Sequence, residues 1–303
     1  MPDTKFTGND GYINEVLMPV IENFLKTNSA LIQLGLATDA SAEVDFAQGG
    51  RHVTRVEFRG KLEAERLRVA RTKQKVTYEA QRYPMVSSIT TLQFEGEAVD
   101  DIFDDAGFLN RVQNHMQEVT LEDLDKTLMN CTMDIGDGSI NYGAVGSTLV
   151  KDLTGESVKT INYTDLVKVR GLFGDYQGAL VALLHSRTMT DLLLTTEAKN
   201  VQQGVVLGNV NAVLFPSLNM FAVQTDRVPT SGTGASTQYT NLICQPGCMS
   251  YAWKKPLTLI PDYQGEYVWD LDWIWRYAIM RNVDRGRAKV AKLVSLSDQV
   301  PAE

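Results

Sequence analysis

The residues best suited to chemistry lie in YVWDLDWIWRY, residues 267–277. Asp270 and Asp272 are two apart, so an extended chain sets both carboxylates on one face, ~7 Å from each other. Trp269, Trp273 and Trp275 alternate with them. Paired carboxylates beside indole rings are what a glycosidase uses to hold sugar and work at the glycosidic bond, and without catalysis the same stripe is a sugar-binding platform. Arg276 falls on the carboxylates' side, which equally suits a solvated or salt-bridged face. On the other side Tyr267, Trp269, Leu271, Trp273, Trp275 and Tyr277 recur every second residue. The plainer reading of that stripe is a buried sheet face or a subunit interface. A second feature is CQPGC, with Cys244 and Cys248 around a Pro-Gly turn. It lacks the C-x-x-C spacing and a second ligand pair, and reads as two free thiols flanking a hairpin turn. His52, His115 and His185 are the three histidines, which leaves few ways to build a triad or a metal site. There is no glycine-rich phosphate loop, G-x-G-x-x-G, nucleophile elbow or H-E-x-x-H. No cofactor and no enzymatic activity are expected.

Composition narrows the field further. A chain of 303 residues, 44% hydrophobic and 22% charged, can bury a substantial core. Its net charge of −8 argues against gripping nucleic acid over the whole surface. An odd number of cysteines behind the opening MPDTKFTGND, which has no apolar signal region, suits a reduced intracellular setting. The apolar runs GALVALLH and NAVLFPSLNMFAV fall short of the ~20 residues of a membrane span.

The elements that must carry these residues are unusual in length. Up to residue 45 an amphipathic piece (Tyr12, Val16, Leu17, Val20, Ile21, Phe24, Leu25) precedes what reads as a loose arm. Residues 51–82 hold ten Lys and Arg against four Glu, a balance of +6, with β-favouring VTRVEF and KVTYE at either end. That pattern predicts a projecting hairpin with little to bury by itself. Residues 95–134 hold eleven Asp and Glu against Arg111 and Lys126, a balance of −9. Ile102, Leu109, Val112, Met116, Val119, Leu124 and Leu128 follow a helical period there, so a strut helix over about 99–130 is expected. Asp100, Asp101, Asp104 and Asp105 crowd its start, where the helix dipole favours negative charge. Next comes an α/β rhythm: a helix DLVKVRGLF opened by Thr164 and Asp165 and closed by Gly174, a buried strand GALVALLH, and a helix RTMTDLLL capped by Ser186. Strands NAVLF, NMFAVQT, TNLICQ and KPLTLI follow. Eighteen extended residues in the aromatic segment would reach ~60 Å, too long for a compact domain. The basic hairpin and the acidic helix can meet either across a subunit boundary or within one chain.

This order of parts resembles the major capsid proteins of tailed bacteriophages, the Hong Kong 97-type fold. YTDLVKVRGLFGDYQGALVALLHSRTMTDLLL is similar to that family's helix, Gly-Asp turn, strand ending in His-Ser, and following helix. MFAVQTDRVPTSGTGASTQYTNLICQPGCMSYAW is similar to its strand ending Thr-Asp-Arg-Val-Pro, variable loop and Tyr-led hairpin. Cys248 departs from the small residue usual after that turn. The resemblance implies an α+β fold with an N-terminal arm (1–45), an extended loop hairpin (46–92), a peripheral domain with its spine helix (93–145), an axial α/β domain (146–253), and a return to the peripheral domain with the C-terminal segment (254–303). It implies self-assembly into hexamers and pentamers that form an icosahedral virion shell around double-stranded DNA, bound without sequence specificity. Implied partners are a scaffolding protein, a portal and a decoration protein, with assembly in the host cytoplasm and no membrane. Arg55, Arg59, Lys61, Arg66, Arg68 and Arg71 of the hairpin, with Asp100, Asp101, Asp104 and Asp105, are the expected inter-subunit contacts. Two alternatives remain: an encapsulin-like compartment of the same fold, and a carbohydrate-binding or glycosidase protein using Trp269, Trp273 and Trp275 with Asp270 and Asp272.

Overall fold

The computed structural model describes residues 24, 28–46, 52–59, 77–95, 106–133, 149–195, 202–207, 210–265, 268–284 and 287–298. In chain order the elements are α1 (Ala30–Gln33), β1 (Ala37–Asp39), β2 (Asp45–Phe46), β3 (His52–Arg59), β4 (Thr77–Glu95), α2 (Ala106–Met133), β5 (Leu149–Asp152), α3 (Tyr163–Leu172), β6 (Leu180–Leu184), α4 (Ser186–Leu194), β7 (Gln202–Leu207), β8 (Val210–Phe215), β9 (Met220–Gln224), β10 (Thr230–Ser231), β11 (Gln238–Cys244), β12 (Met249–Gly265), β13 (Val268–Arg281), β14 (Val283–Asp284), β15 (Arg287–Ala288) and β16 (Val290–Ser295).

Two sheets organise the chain. The first has six strands in the order β1-β12-β13-β4-β3-β2, and the second runs β5-β16-β11-β6-β9-β8-β7 with β10 added beside β11. The expected hairpin forms: β3 pairs antiparallel with the first part of β4, from Arg59↔Thr77 to His52↔Pro84. From Met85 onward β4 pairs instead with β13, in a continuous register to Val268↔Glu95. Pro84 marks the switch, where a residue without an N–H costs the ladder least. Residues 60–76, with Lys61, Arg66, Arg68 and Arg71, lie outside the described residues.

The strut helix is present as α2, 28 residues and ~42 Å long. Residues 101–105 before it lie outside the described residues. Met116, Leu124 and Leu128 of the expected stripe are buried, with Leu121 and Met129 beside them. Strand β6 explains how two cores coexist. All five of its residues are buried, because alternate side chains enter different clusters. Val181 and Leu183 join α2, Trp275, Tyr277 and Ile279. Leu180, Ala182 and Leu184 join Leu166 and Val169 of α3 and Met189 and Leu192 of α4.

Several local expectations shift by a few residues. The cap of α3 is Asn162, not Thr164 or Asp165; its side chain accepts from Asp165 N while Asp165 accepts from Asn162 N, a reciprocal capping box. Gly174 follows the helix end with φ +58°, a conformation that suits glycine. Helix α4 is capped by His185, not Ser186. KPLTLI is part of the 17-residue β12. Residues 28–46, read as loose because they are small and polar, are packed: Leu31 and Leu36 are fully buried, and β1 pairs in parallel with the start of β12. The residues around CQPGC are not a hairpin, because β11 belongs to the second sheet and β12 to the first.

Candidate functional site

The aromatic segment folds as β13, an inner strand held between β12 and β4. Trp275 is 1% exposed and Tyr277 fully buried. Trp275 Nε1 donates to Asp123 Oδ2 (2.8 Å) and Tyr277 Oη donates to the same oxygen (2.9 Å). One α2 carboxylate thus fastens the helix to the first sheet. Trp253 lies against Tyr277 with ring centroids 5.4 Å apart. A buried indole whose N–H is already bonded has no face for a sugar, so Trp275 belongs to the core reading and not to a platform. The side chains of Trp269, Asp270, Asp272 and Trp273 lie outside the described residues; their backbones pair on both sides, Asp270 with Asp262 and Gln93, and Asp272 with Ile260 and Thr91.

Two residues along α2, Asp125 points elsewhere, as a spacing of two on a helix requires. It is 1% exposed, accepts from Ser29 Oγ (2.6 Å), and is ion-paired with Arg227 in the loop after β9. Burial raises the Asp125 carboxyl above the ordinary range, against the opposing pull of Ser29 and Arg227. Ser29 also caps α1, accepting from Ile32 N. Asp123 and Asp125 together join α2 to the first sheet, to the N-terminal segment and to the second sheet. Glu122 pairs with Lys126 one turn on. Part of the −9 block is therefore committed inside the chain.

Where the chain passes from one sheet to the other, three strands of backbone are tied. Gly247 N donates to Gly35 O (2.7 Å), Gln245 N to Lys289 O (2.9 Å), and Asn282 N to Cys248 O (2.9 Å). The Asn282 side chain donates to Gly247 O (3.0 Å) and Ser250 Oγ (2.8 Å) and accepts from Arg55 Nη1 (2.7 Å). Arg55 also pairs with Glu43 (3.1 Å). Of the ten residues expected at subunit contacts, Arg55 is the one whose side chain is described, and it is used within the chain. Arg59 ends β3; Lys61, Arg66, Arg68, Arg71, Asp100, Asp101, Asp104 and Asp105 lie outside the described residues. Sequence reasoning missed Ser29, Asp123, Asp125 and Asn282. The available signal was Asp125 beside the Leu124 and Leu128 stripe: a carboxylate at the edge of an apolar face needs a partner.

At the far side of the second sheet His185 caps α4 through Nδ1, which accepts from Arg187 N (3.3 Å). Its ring lies 4.4 Å from that of Tyr239, centroid to centroid, and Nε2 is 3.7 Å from Asp226 Oδ1. Desolvation lowers the His185 pKa, partly offset by Asp226. Among the described residues, no three His, Cys, Asp or Glu side chains are grouped to hold a metal ion, and no helix is long and apolar enough to cross a membrane.

No protein-family model matches the sequence, and no curated protein matches it. Solved structures do. The head structure of Helicobacter pylori bacteriophage KHP40 superposes with TM-score 0.61 at 9% identity, over 90% of this chain and 91% of that one. The fold is the Hong Kong 97-type capsid fold. The capsid of Ralstonia phage GP4 matches with TM-score 0.57 at 10% identity, over 85% of this chain and 87% of that one. The same fold reaches beyond phages: the holo-SrpI encapsulin of Synechococcus elongatus PCC 7942 matches with TM-score 0.52 at 14% identity, covering 75% and 81%. At these identities the likeness lies in the path of the chain.

Proposed function

We propose that this protein is the structural subunit of a bacteriophage capsid, assembling with copies of itself into hexamers and pentamers that close an icosahedral shell around double-stranded DNA. The observation that carries this reading is the match to a phage head over nine-tenths of both chains. The net charge of −8 suits a container that must hold packed DNA without gripping it. In this reading the hairpin of β3 and β4 lies over a neighbouring subunit. Its cations at Arg59, Lys61, Arg66, Arg68 and Arg71 meet acidic groups there, with Asp100, Asp101, Asp104 and Asp105 as the proposed complement. The protein then has no catalytic role. Its partners are a scaffolding protein, a portal and a decoration protein, and it is built in the host cytoplasm into the virion. The division into arm (1–45), extended loop (46–92), peripheral (93–145 and 254–303) and axial (146–253) parts belongs to the same proposal.

The encapsulin match favours one second reading, a compartment that contains protein. Purification of the chain alone, followed by size exclusion and electron microscopy, tests the proposal. Capsomers or closed shells are expected, and a compact monomer at high concentration would overturn it. Material recovered with shells from the native source, nuclease-sensitive DNA or a protein cargo, separates the two containers. Arg66→Glu with Arg68→Glu is expected to leave the subunit folded, by circular dichroism, and to block shell closure.

A further inference from the structure

Cys244 and Cys248 take no part in the reading above, and the fold places them where a covalent change would matter. Both are fully buried, in the cluster shared by α2 and the two sheets. Both thiols are free, and the Cys248 side chain lies near enough to Cys244 to perturb its thiol. Cys248 Sγ also donates to Leu36 O (3.6 Å). Between them Gln245, Pro246 and Gly247 make the single step from β11 of the second sheet to β12 of the first, with Gly247 at φ +63°. The same turn holds the N-terminal segment through Gly35 and the return crossing through Asn282 and Lys289.

We propose that Cys244 and Cys248 form an oxidisable dithiol which a peroxide converts to an internal disulfide, stapling the crossover between the two sheets. Two thiols separated by a three-residue turn and buried in the same cluster need little backbone movement to bond. Peroxide is the fitting oxidant because it is about the size of a water molecule, whereas a bulky disulfide reagent cannot reach two fully buried sulfurs. The thiolate of one cysteine attacks a peroxide oxygen; the O–O bond breaks, hydroxide leaves, and the sulfur becomes a sulfenic acid. The second sulfur then attacks the first, the S–S bond forms, and the hydroxyl departs as water. Two electrons pass from the sulfurs to one molecule of hydrogen peroxide, and the two thiol protons end on the two waters produced. The nearness of the second thiol, fixed by the short turn, decides the outcome, since a sulfenic acid with a thiol beside it condenses before a second peroxide arrives. The neighbouring Cys248 side chain and, after it, burial hold the Cys244 thiol well above its ordinary range. The disulfide should therefore appear faster as pH rises.

The test uses the full chain treated with hydrogen peroxide, quenched, alkylated in denaturant and digested with trypsin. Cleavage after Arg227 and Lys254 puts both cysteines on one peptide and leaves Cys131 on another. The expected result is that this peptide is lighter by two hydrogens and carries no alkyl group, while in Cys244→Ser a sulfenic acid on Cys248 is trapped by a cyclic dione added with the denaturant, which opens the core to it. Oxidised protein should melt higher by about 3 °C, the small rise expected for a short closed loop in a chain of this size. Two alkylated thiols, independent sulfinic acids, or a disulfide between chains would each overturn the proposal. None of these readouts depends on assembly, so a failure here is distinct from a failure of the capsid reading.

Discussion

Strand β6 is five residues long and buried along its whole length, whereas β4, β12 and β13 run 19, 17 and 14 residues. The second sheet is made of such short strands, covered by α3 and α4 on one side and joined to the α2 cluster on the other. It completes its core within one chain. The first sheet is a ribbon, and at ~3.3 Å per residue β4 alone spans ~60 Å. Among the described residues, its buried cluster next to β3 is formed by Ala40, Val44, Val53, Ala252, Ala278 and Met280. The two sheets differ in where their stability comes from: the second closes a core around short strands, and the first depends on long, continuous ladders between neighbouring strands. What welds the two is α2, by Asp123 on one side and Asp125 on the other.

That contrast can be broken most directly at Trp275. Trp275→Ala removes the largest fully buried side chain among the described residues and a donor to Asp123. A loss of ~3–5 kcal/mol is expected in denaturant unfolding. Asp125→Ala leaves Arg227 without its carboxylate and Ser29 without its acceptor. Because Arg227 is about one-third exposed, the cost should be about 3 kcal/mol, at the lower end for a broken buried pair. Amide exchange should then rise in residues 29–36 and in α2 while β6 stays protected. Equal loss of protection in β6 would show that the two regions are not separable. Asn162→Ala removes one half of the α3 capping box and is expected to cost ~1 kcal/mol by thermal melting, confined to the second sheet's helices.

The finest distinction is in pH. His185 has its folded pKa lowered from 6.5 by desolvation. The unfolded chain therefore binds the proton more readily, and the stability from neutral His185 is present above about pH 6.5 and is lost as pH falls from there through the lowered folded value. Protonation also removes the Nδ1 lone pair that caps α4. Asp226, Arg187 and Tyr239 face the ring. Asp226 keeps its charge to lower pH, through its hydrogen bonds with Ser186. His185→Asn retains a capping acceptor without a titrating ring. Its melting temperature is expected to flatten between pH 7 and 5, where the parent declines.

Much of the second sheet was legible because its signals are local. GALVALLH is a continuous apolar run and became a strand buried on both faces. The helices flanking it begin and end within a few residues of their expected places, and the caps moved because Asn162 and His185, each one position before its helix, accept from the first turn. The long helix was legible from its period. The first sheet was harder to read, because its continuity is tertiary: SSITTLQF gave no separate strand signal, yet it pairs residue by residue with β13. The packing of residues 28–46 was hidden for the same reason, since Leu31 and Leu36 are buried by partners far along the chain. The joints of the candidate site were the least readable. Ser29 meets Asp125 across 96 positions, and Arg227 meets it across 102, separations at which no spacing rule applies.

The change of partner at Pro84 has a mechanical reading. A single strand carries the hairpin at one end and the β13 ladder at the other, so a pull on the hairpin tip is transmitted along the strand axis. The eleven residue pairs from Met85 to Glu95 then share the load in shear instead of parting one after another. A strand anchored in this way resists a pull along its own axis far better than one whose pairs part singly, so the hairpin and the β13 ladder act as one mechanical unit.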